Sequence, residues 1–142
     1  MRLPEETVAQ LVDIAVTCCA ATVEQERTLL VRTHEAIAGL PRELLEGLLP
    51  GLPSSDEFTG LIQANAYESA ALRLLGSKLG YMVSRSPNGI CLATVCAPGI
   101  EELVISAETL TLGLVAGLLT AVVVHNQGGC EVVNLGESVP MN

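Results

Sequence analysis

An uncharged, apolar segment near the C-terminal end constrains this chain most. If His125 is neutral, no charged residue lies between Glu108 and Glu131, and the part from Leu110 to Val124 is apolar except for two threonines. Its leucines and valines fall on every side of the predicted helix, so this helix must be covered on more than one side. Because the apolar part is only about 15 residues long, against the roughly 20 needed to cross hydrocarbon, a buried helix is favoured over a membrane span.

Composition and charge exclude several classes of function. Sixteen acidic residues against seven basic ones give a net charge of -9, and only 2% of the residues are aromatic. Nucleic-acid binding is therefore excluded, because it needs a clustered basic surface or aromatic stacking platforms. The five cysteines show no metal-ligand spacing and no signal peptide is visible, so we expect a cytoplasmic protein with reduced thiols and no metal or cofactor.

The first 49 residues are predicted to be helical. Apolar residues recur at three- and four-residue steps from Glu5 to Ala38 without glycine or proline, so one long helix and two shorter ones both fit. Thr22 and Gln25 have the spacing of a capping box that would start the second helix. A short helix is predicted over 41–49, and His34 is expected to be a solvated helix residue.

After the break at 50–53, the pattern changes from helical to mixed. Ser54 caps a predicted helix that ends between Gly76 and Gly80. A hairpin follows, with strands at 81–85 and 90–96 joined by a type I turn. The β-prone residues 103–105 predict a third strand, with a helix starting at Gly99 as the alternative, and the apolar segment from 108 to 125 is the last helix.

These elements predict an α+β fold in which a helical N-terminal half precedes an α-β-β-β-α unit. A small antiparallel sheet packs on helices in this unit. The predicted divisions are an N-terminal helical region (1–49), the α-β-β-β-α core (54–125) and a C-terminal tail (126–142) with a strand at 130–133. The order of the core resembles that of double-stranded-RNA-binding domains. The resemblance ends at topology, because the last helix opens with an acid where those domains have lysines, so neither residues nor function are transferred.

The apolar last helix also predicts self-association. Gly113 and Gly117 form a small-residue pair that lets the backbone of this helix approach either the sheet or a second copy closely. Since one small sheet covers one side of the helix only, the rest must be covered by the N-terminal helices or by another chain. We therefore expect a homodimer, with Gly113, Gly117, Leu114 and Leu118 as the candidate interface.

Two further groups of polar residues are candidates for binding. Tyr81, Arg85 and Asn88 lie on the predicted hairpin and could contact a ligand, an anion or a partner. Asn65 and Ser69 are four residues apart on an otherwise apolar helix face and could line a polar pocket, although hydrogen bonds to nearby backbone would explain them equally.

The sequence contains no arrangement of catalytic residues. We expect a non-enzymatic, homodimeric protein-protein interaction module that could also bind another protein. The first alternative is a module or enzyme that binds a small aliphatic ligand between the sheet and the N-terminal helices. The second is a short membrane-associated accessory protein.

Overall fold

A computed structural model gives the structure of the chain for residues 2–128. The predicted strand at 130–133 and most of the predicted tail lie outside the described residues. Within them, the α+β prediction is confirmed: helices come first, then a three-stranded antiparallel sheet, then a last helix. The elements are α1 (Glu5–Ala20), α2 (Glu26–Ala38), α3 (Arg42–Leu48), α4 (Ser55–Gln63), α5 (Tyr67–Leu75), β1 (Gly80–Arg85), β2 (Cys91–Cys96), β3 (Leu103–Ala107) and α6 (Leu110–Asn126).

The stretch from Glu5 to Ala38 forms two helices, not one. The chain turns between α1 and α2, where the Thr22 backbone N–H donates to Gln25 Oε1 over 3.0 Å. The next N–H, that of Val23, donates to Glu108 Oε2 over 2.8 Å. The turn between the first two helices is thereby tied to the end of β3.

The prediction of a single helix from Ser54 to between Gly76 and Gly80 is wrong, because this stretch is divided into α4 and α5. Asn65 adopts a left-handed conformation, with φ of 58°, and the Ala66 N–H donates back to Leu61 O over 2.9 Å. Asparagine tolerates this conformation better than most residues and ends a helix much as glycine does. The break brings the start of α5 to the surface beside the last helix.

The sheet has the order β1-β2-β3, and both pairs are antiparallel. The predicted hairpin is confirmed: Gly89 N–H donates to Ser86 O and Ser86 N–H donates to Ile90 O, both over 2.9 Å. These bonds close a turn at Pro87 and Asn88, and Gly89 (φ 90°) takes the left-handed position that follows it. The third strand is present as β3, and the alternative helix starting at Gly99 is wrong.

Helix α6 lies at the centre of the fold, between the sheet and the other helices. Every residue from Thr111 to Val124 is buried. Strands β2 and β3 cover one side of α6, while α1, α5 and α2 cover the others. The premise that led us to expect a dimer was therefore wrong in one respect: the helices of the same chain cover α6 without a second copy.

His34 is buried, which contradicts the prediction that it is a solvated helix residue. Its ring stacks on Phe58 with a centroid distance of 4.4 Å and an interplanar angle of 7°. Its Nε2 lies 2.9 Å from Pro53 O. Because a carbonyl oxygen can only accept a hydrogen bond, Nε2 carries the proton. His34 therefore joins α2 to the Pro50–Pro53 break and to α4.

Candidate functional site

Among residues 2–128, no helix packs against one face of the sheet, which we call the uncovered face. Side chains alternate between the two faces of a strand, and Cys91, Ala93 and Val95 of β2 are the buried ones. The strand register then assigns the remaining positions to the uncovered face, which consists of Gly80, Met82, Ser84, Leu92, Thr94, Cys96, Val104 and Ser106. The solvent face of an antiparallel sheet is usually polar. Here none of the eight residues is charged, and Met82 is 68% exposed.

Strand β1 is one edge of this sheet and β3 is the other, and each of the six residues of β1 is exposed. On the helix side of the sheet, Tyr81 and Val83 are 46% and 38% exposed, because the helix layer does not extend fully beneath β1. Edge strands expose unpaired backbone groups, and proteins usually protect them with charges, proline or a covering segment. In β1 the only charged residue is Arg85, at its end.

Hydrogen-bonded and non-hydrogen-bonded pairs alternate along an antiparallel ladder. Ser86 and Ile90 form a hydrogen-bonded pair, so the next such pairs towards the start of β1 are Ser84–Leu92 and Met82–Thr94. The intervening residues therefore direct their N–H and C=O groups away from β2. No other strand of residues 2–128 pairs with this edge of β1, which we call its free edge and which presents the backbone groups of Tyr81, Val83 and Arg85.

Of the predicted contact residues on the hairpin, the structure brings two together. Tyr81 and Arg85 lie on the same face of β1, because their partners Val95 and Cys91 are both on the helix side of β2. Asn88 lies in the turn, where its Oδ1 accepts from Ser86 Oγ and from the Ile90 N–H. Asn88 thus stabilises the turn.

The predicted interface residues of α6 lie inside the chain. A Cβ added at Gly113 would lie 3.0 Å from Ala93 Cβ, and one added at Gly117 would lie 2.5 Å from Val95 Cγ2. The small-residue pair therefore packs on the sheet, which is the first of the two alternatives that the sequence left open. Leu114 and Leu118 are 3% and 1% exposed and are equally inaccessible to a second copy.

A second feature is an open cleft of about 370 Å³ at the start of α5 and α6. Asn65, Ser69 and Arg85 all line this cleft. The structure thus brings together the Asn65–Ser69 pair and the hairpin residue Arg85, which the sequence suggested as two separate candidate sites. On its floor, Thr109 Oγ1 donates to Glu26 Oε2 over 2.5 Å and accepts from the Leu112 N–H over 3.1 Å. The lining is polar, unlike the apolar pocket expected for an aliphatic ligand.

Among residues 2–128, no three histidine, cysteine, aspartate or glutamate side chains are placed to hold a metal ion. No helix within that range is long and apolar enough to cross a membrane. Three cysteines are free thiols there: Cys18, Cys91 and Cys96.

Burial makes Cys18 unreactive. It raises the pKa of this thiol from 9.0 to about 12, with a smaller increase from Cys19 and an opposing effect of Arg32. Since the thiolate is the nucleophile, a redox role of the Cys18–Cys19 pair is not supported.

Sequence reasoning missed the uncovered sheet face, although the signal was present. Met82 and Ser84 alternate with Tyr81, Val83 and Arg85, and no acidic residue occurs between Glu68 and Glu101. That interval contains both strands of the hairpin. The chain has 16 acidic residues, so a surface formed by an interval without any of them repels another acidic protein least.

None of the protein-family models, curated proteins or solved structures compared with this chain is similar to it. No residue's role can therefore be taken from a relative.

Proposed function

We propose that this chain is a non-enzymatic protein-interaction module that acts in the cytoplasm. Its docking surface is the uncovered sheet face together with the free edge of β1. The observation that carries the proposal is the uncharged face on which Met82 and Leu92 are 68% and 39% exposed. Exposed apolar patches next to unpaired strand edges are typical of surfaces that bind protein.

The chemistry of the surface favours a protein over a small molecule. The proposed surface is a sheet face and a strand edge, whereas small ligands are held in concave sites that bury most of their surface. It offers methionine, leucine, valine and small hydroxyl side chains, which suit a second apolar surface. The free N–H and C=O groups of β1 add a directional component, because an extended strand can pair with them.

Photo-crosslinking tests this proposal directly. p-Benzoylphenylalanine replaces Met82 on the sheet face or, as a control, Val16, which is 48% exposed on α1. Illumination in extract of the native host should give a discrete protein adduct from position 82 and none from position 16. Excess unlabelled protein should suppress the adduct, whereas excess of the M82K/L92K variant should not.

Equal labelling from both positions, or no adduct from position 82, would refute the proposed docking surface. Suppression by the M82K/L92K variant would refute the sheet face as part of the docking surface, because those side chains lie on the uncovered face. Circular dichroism of the variant checks that it folds. Both residues are exposed, so their replacement is expected to change the unfolding free energy by no more than about 0.5 kcal/mol.

The cleft supports a second candidate function, the binding of a small polar ligand. Glu26, which is 7% exposed, and Arg85 place opposite charges in one space with the Asn65 and Ser69 side chains. A thermal-shift screen with small zwitterionic and polyhydroxylated compounds tests it. A ligand of the cleft should raise the melting temperature of the wild type but not of the S69L variant, and an equal rise in both would refute it.

A further inference from the structure

We infer that the partner at β1 is a second copy of this chain. The two β1 strands pair antiparallel, centred on Val83, and join the sheets into one of six strands. This inference rests on the proposed function, because it names the occupant of one part of the docking surface, the free edge of β1. It does not use the α6 interface expected from the sequence, since those residues are buried within each copy.

The positions of the free backbone groups determine the register. A two-fold axis perpendicular to the sheet places residues of the same face opposite each other, with the helices of both copies on one side. Val83 opposite Val83 of the second copy places Tyr81 opposite its Arg85, and Arg85 opposite its Tyr81. All three residues with outward N–H and C=O groups are then used, giving six hydrogen bonds between the copies. Centring on Met82 would use only Tyr81 and Val83 of each copy.

The side chains of β1 are self-complementary in the same register. Tyr81 of one copy lies beside Arg85 of the other on the helix side of the sheet, where each is exposed in the single chain. A guanidinium group over a tyrosine ring is a favourable cation–π arrangement. The two-fold axis forms this pair twice. It also keeps the two Arg85 side chains apart, because they are separated by four residues along the ladder, about 13 Å.

Charge also favours this edge over other surfaces for self-association. Two copies that each carry a charge of -9 repel each other wherever acidic residues meet. The interval between Glu68 and Glu101 contains no acid and three basic residues, Arg73, Lys78 and Arg85. Arg73 is paired with Glu57 over 2.5 Å. Contact through β1 therefore brings the copies together where no acidic residue of the hairpin faces another.

The first test is the mass in solution with a matched pair of variants. Val83 at the centre of β1 and Val31 on α2 are 38% and 39% exposed, so V83K and V31K introduce the same side chain at equal exposure. The wild type and V31K should have twice the chain mass of 14.8 kDa by light scattering. V83K places two ammonium groups opposite each other and should weaken dimerisation about tenfold or more.

The second test reads the register from disulfides. Met82 of one copy lies opposite Ser84 of the other in a non-hydrogen-bonded pair, with Cα atoms about 4.5 Å apart, which suits a disulfide. A mixture of the M82C and S84C variants should form a crosslinked dimer on mild oxidation. M82C alone should form no more than the wild type, whose own cysteines set the background.

These outcomes separate the two proposals. A wild-type mass of 14.8 kDa at concentrations up to about 100 µM would overturn the inference. So would a dimer that V83K leaves unchanged, or one in which M82C crosslinks with itself. A monomer that still gives the specific position-82 adduct with another protein would leave the docking surface in place while refuting the second copy as its occupant. Loss of that adduct as well would refute both.

Discussion

Replacing Gly117 by alanine tests how closely α6 packs on the sheet. A Cβ at this position would lie 2.5 Å from Cγ2 and 3.2 Å from Cβ of Val95. Val95 is fully buried and β-branched, so its side chain has little freedom to move away. Overpacking of this kind costs about 1–3 kcal/mol, and the short contact places G117A near the upper end.

A second effect acts in the opposite direction. Alanine is about 1 kcal/mol more favourable than glycine within a helix. The net result expected for G117A is therefore a decrease of about 2 kcal/mol in the free energy of unfolding. For a chain of this length, that lowers the melting temperature by about 6–10 °C.

Urea unfolding followed by circular dichroism measures the change, and Gly60 provides the control. Gly60 lies within α4, and apart from its chain neighbours and the backbone of its own helix no atom lies within 4 Å of the Cβ that alanine would add. G60A should therefore stabilise the chain by up to about 1 kcal/mol. In the G117A/V95A double variant, the truncated valine should make room for the new methyl group. The two changes should be less destabilising together than their sum by at least about 1 kcal/mol. If G117A stabilises the chain as G60A does, the close approach of α6 to β2 is refuted.

Three other side chains give simpler tests. T109V should lower the free energy of unfolding by about 1–3 kcal/mol in urea titration, because it removes the cap of α6 and the hydrogen bond to buried Glu26. T109S keeps the hydroxyl group and should retain most of the stability of the wild type. H34A should cost about 2–3 kcal/mol in the same assay through loss of the stack on Phe58, and H34F should cost less; equal effects would show that the stack contributes nothing. Cys18, with its pKa raised to about 12, should have about a thousandfold less thiolate at neutral pH than an ordinary cysteine, and peptide mapping after brief alkylation of the native protein should find it unmodified.

The main elements of the fold could be predicted because their signals are local. Alternation and turn residues predicted the hairpin around Ser86–Gly89, and the uncharged segment predicted a helix that must be covered on several sides. The division between α4 and α5 was missed because it depends on Asn65 in a left-handed conformation, with neither glycine nor proline to mark it. The polar residues Asn65 and Ser69 in the apolar stripe were the visible sign of that division.

The candidate site was harder to predict because it depends on tertiary packing. Which helices cover α6 is not encoded in its own sequence, so the burial of Gly117 and Leu118 within one chain could not be separated from burial between two copies. His34 was placed in solvent for a similar reason, since Phe58 and Pro53 reach it from a distant part of the chain. The uncovered sheet face becomes recognisable only when the register shows that Met82 and Leu92 share one side.

Amide hydrogen exchange of β1, measured across a dilution series, tests the docking surface and its occupant most directly. Exchange at Tyr81, Val83 and Arg85, whose N–H groups point away from β2, should slow as the protein concentration rises. Met82 and Ser84, which are bonded to β2 within one chain, should change much less. Rapid exchange at the three edge positions at every concentration would contradict pairing between copies. Slow exchange at every concentration would contradict it as well, because the chain itself would then cover the edge.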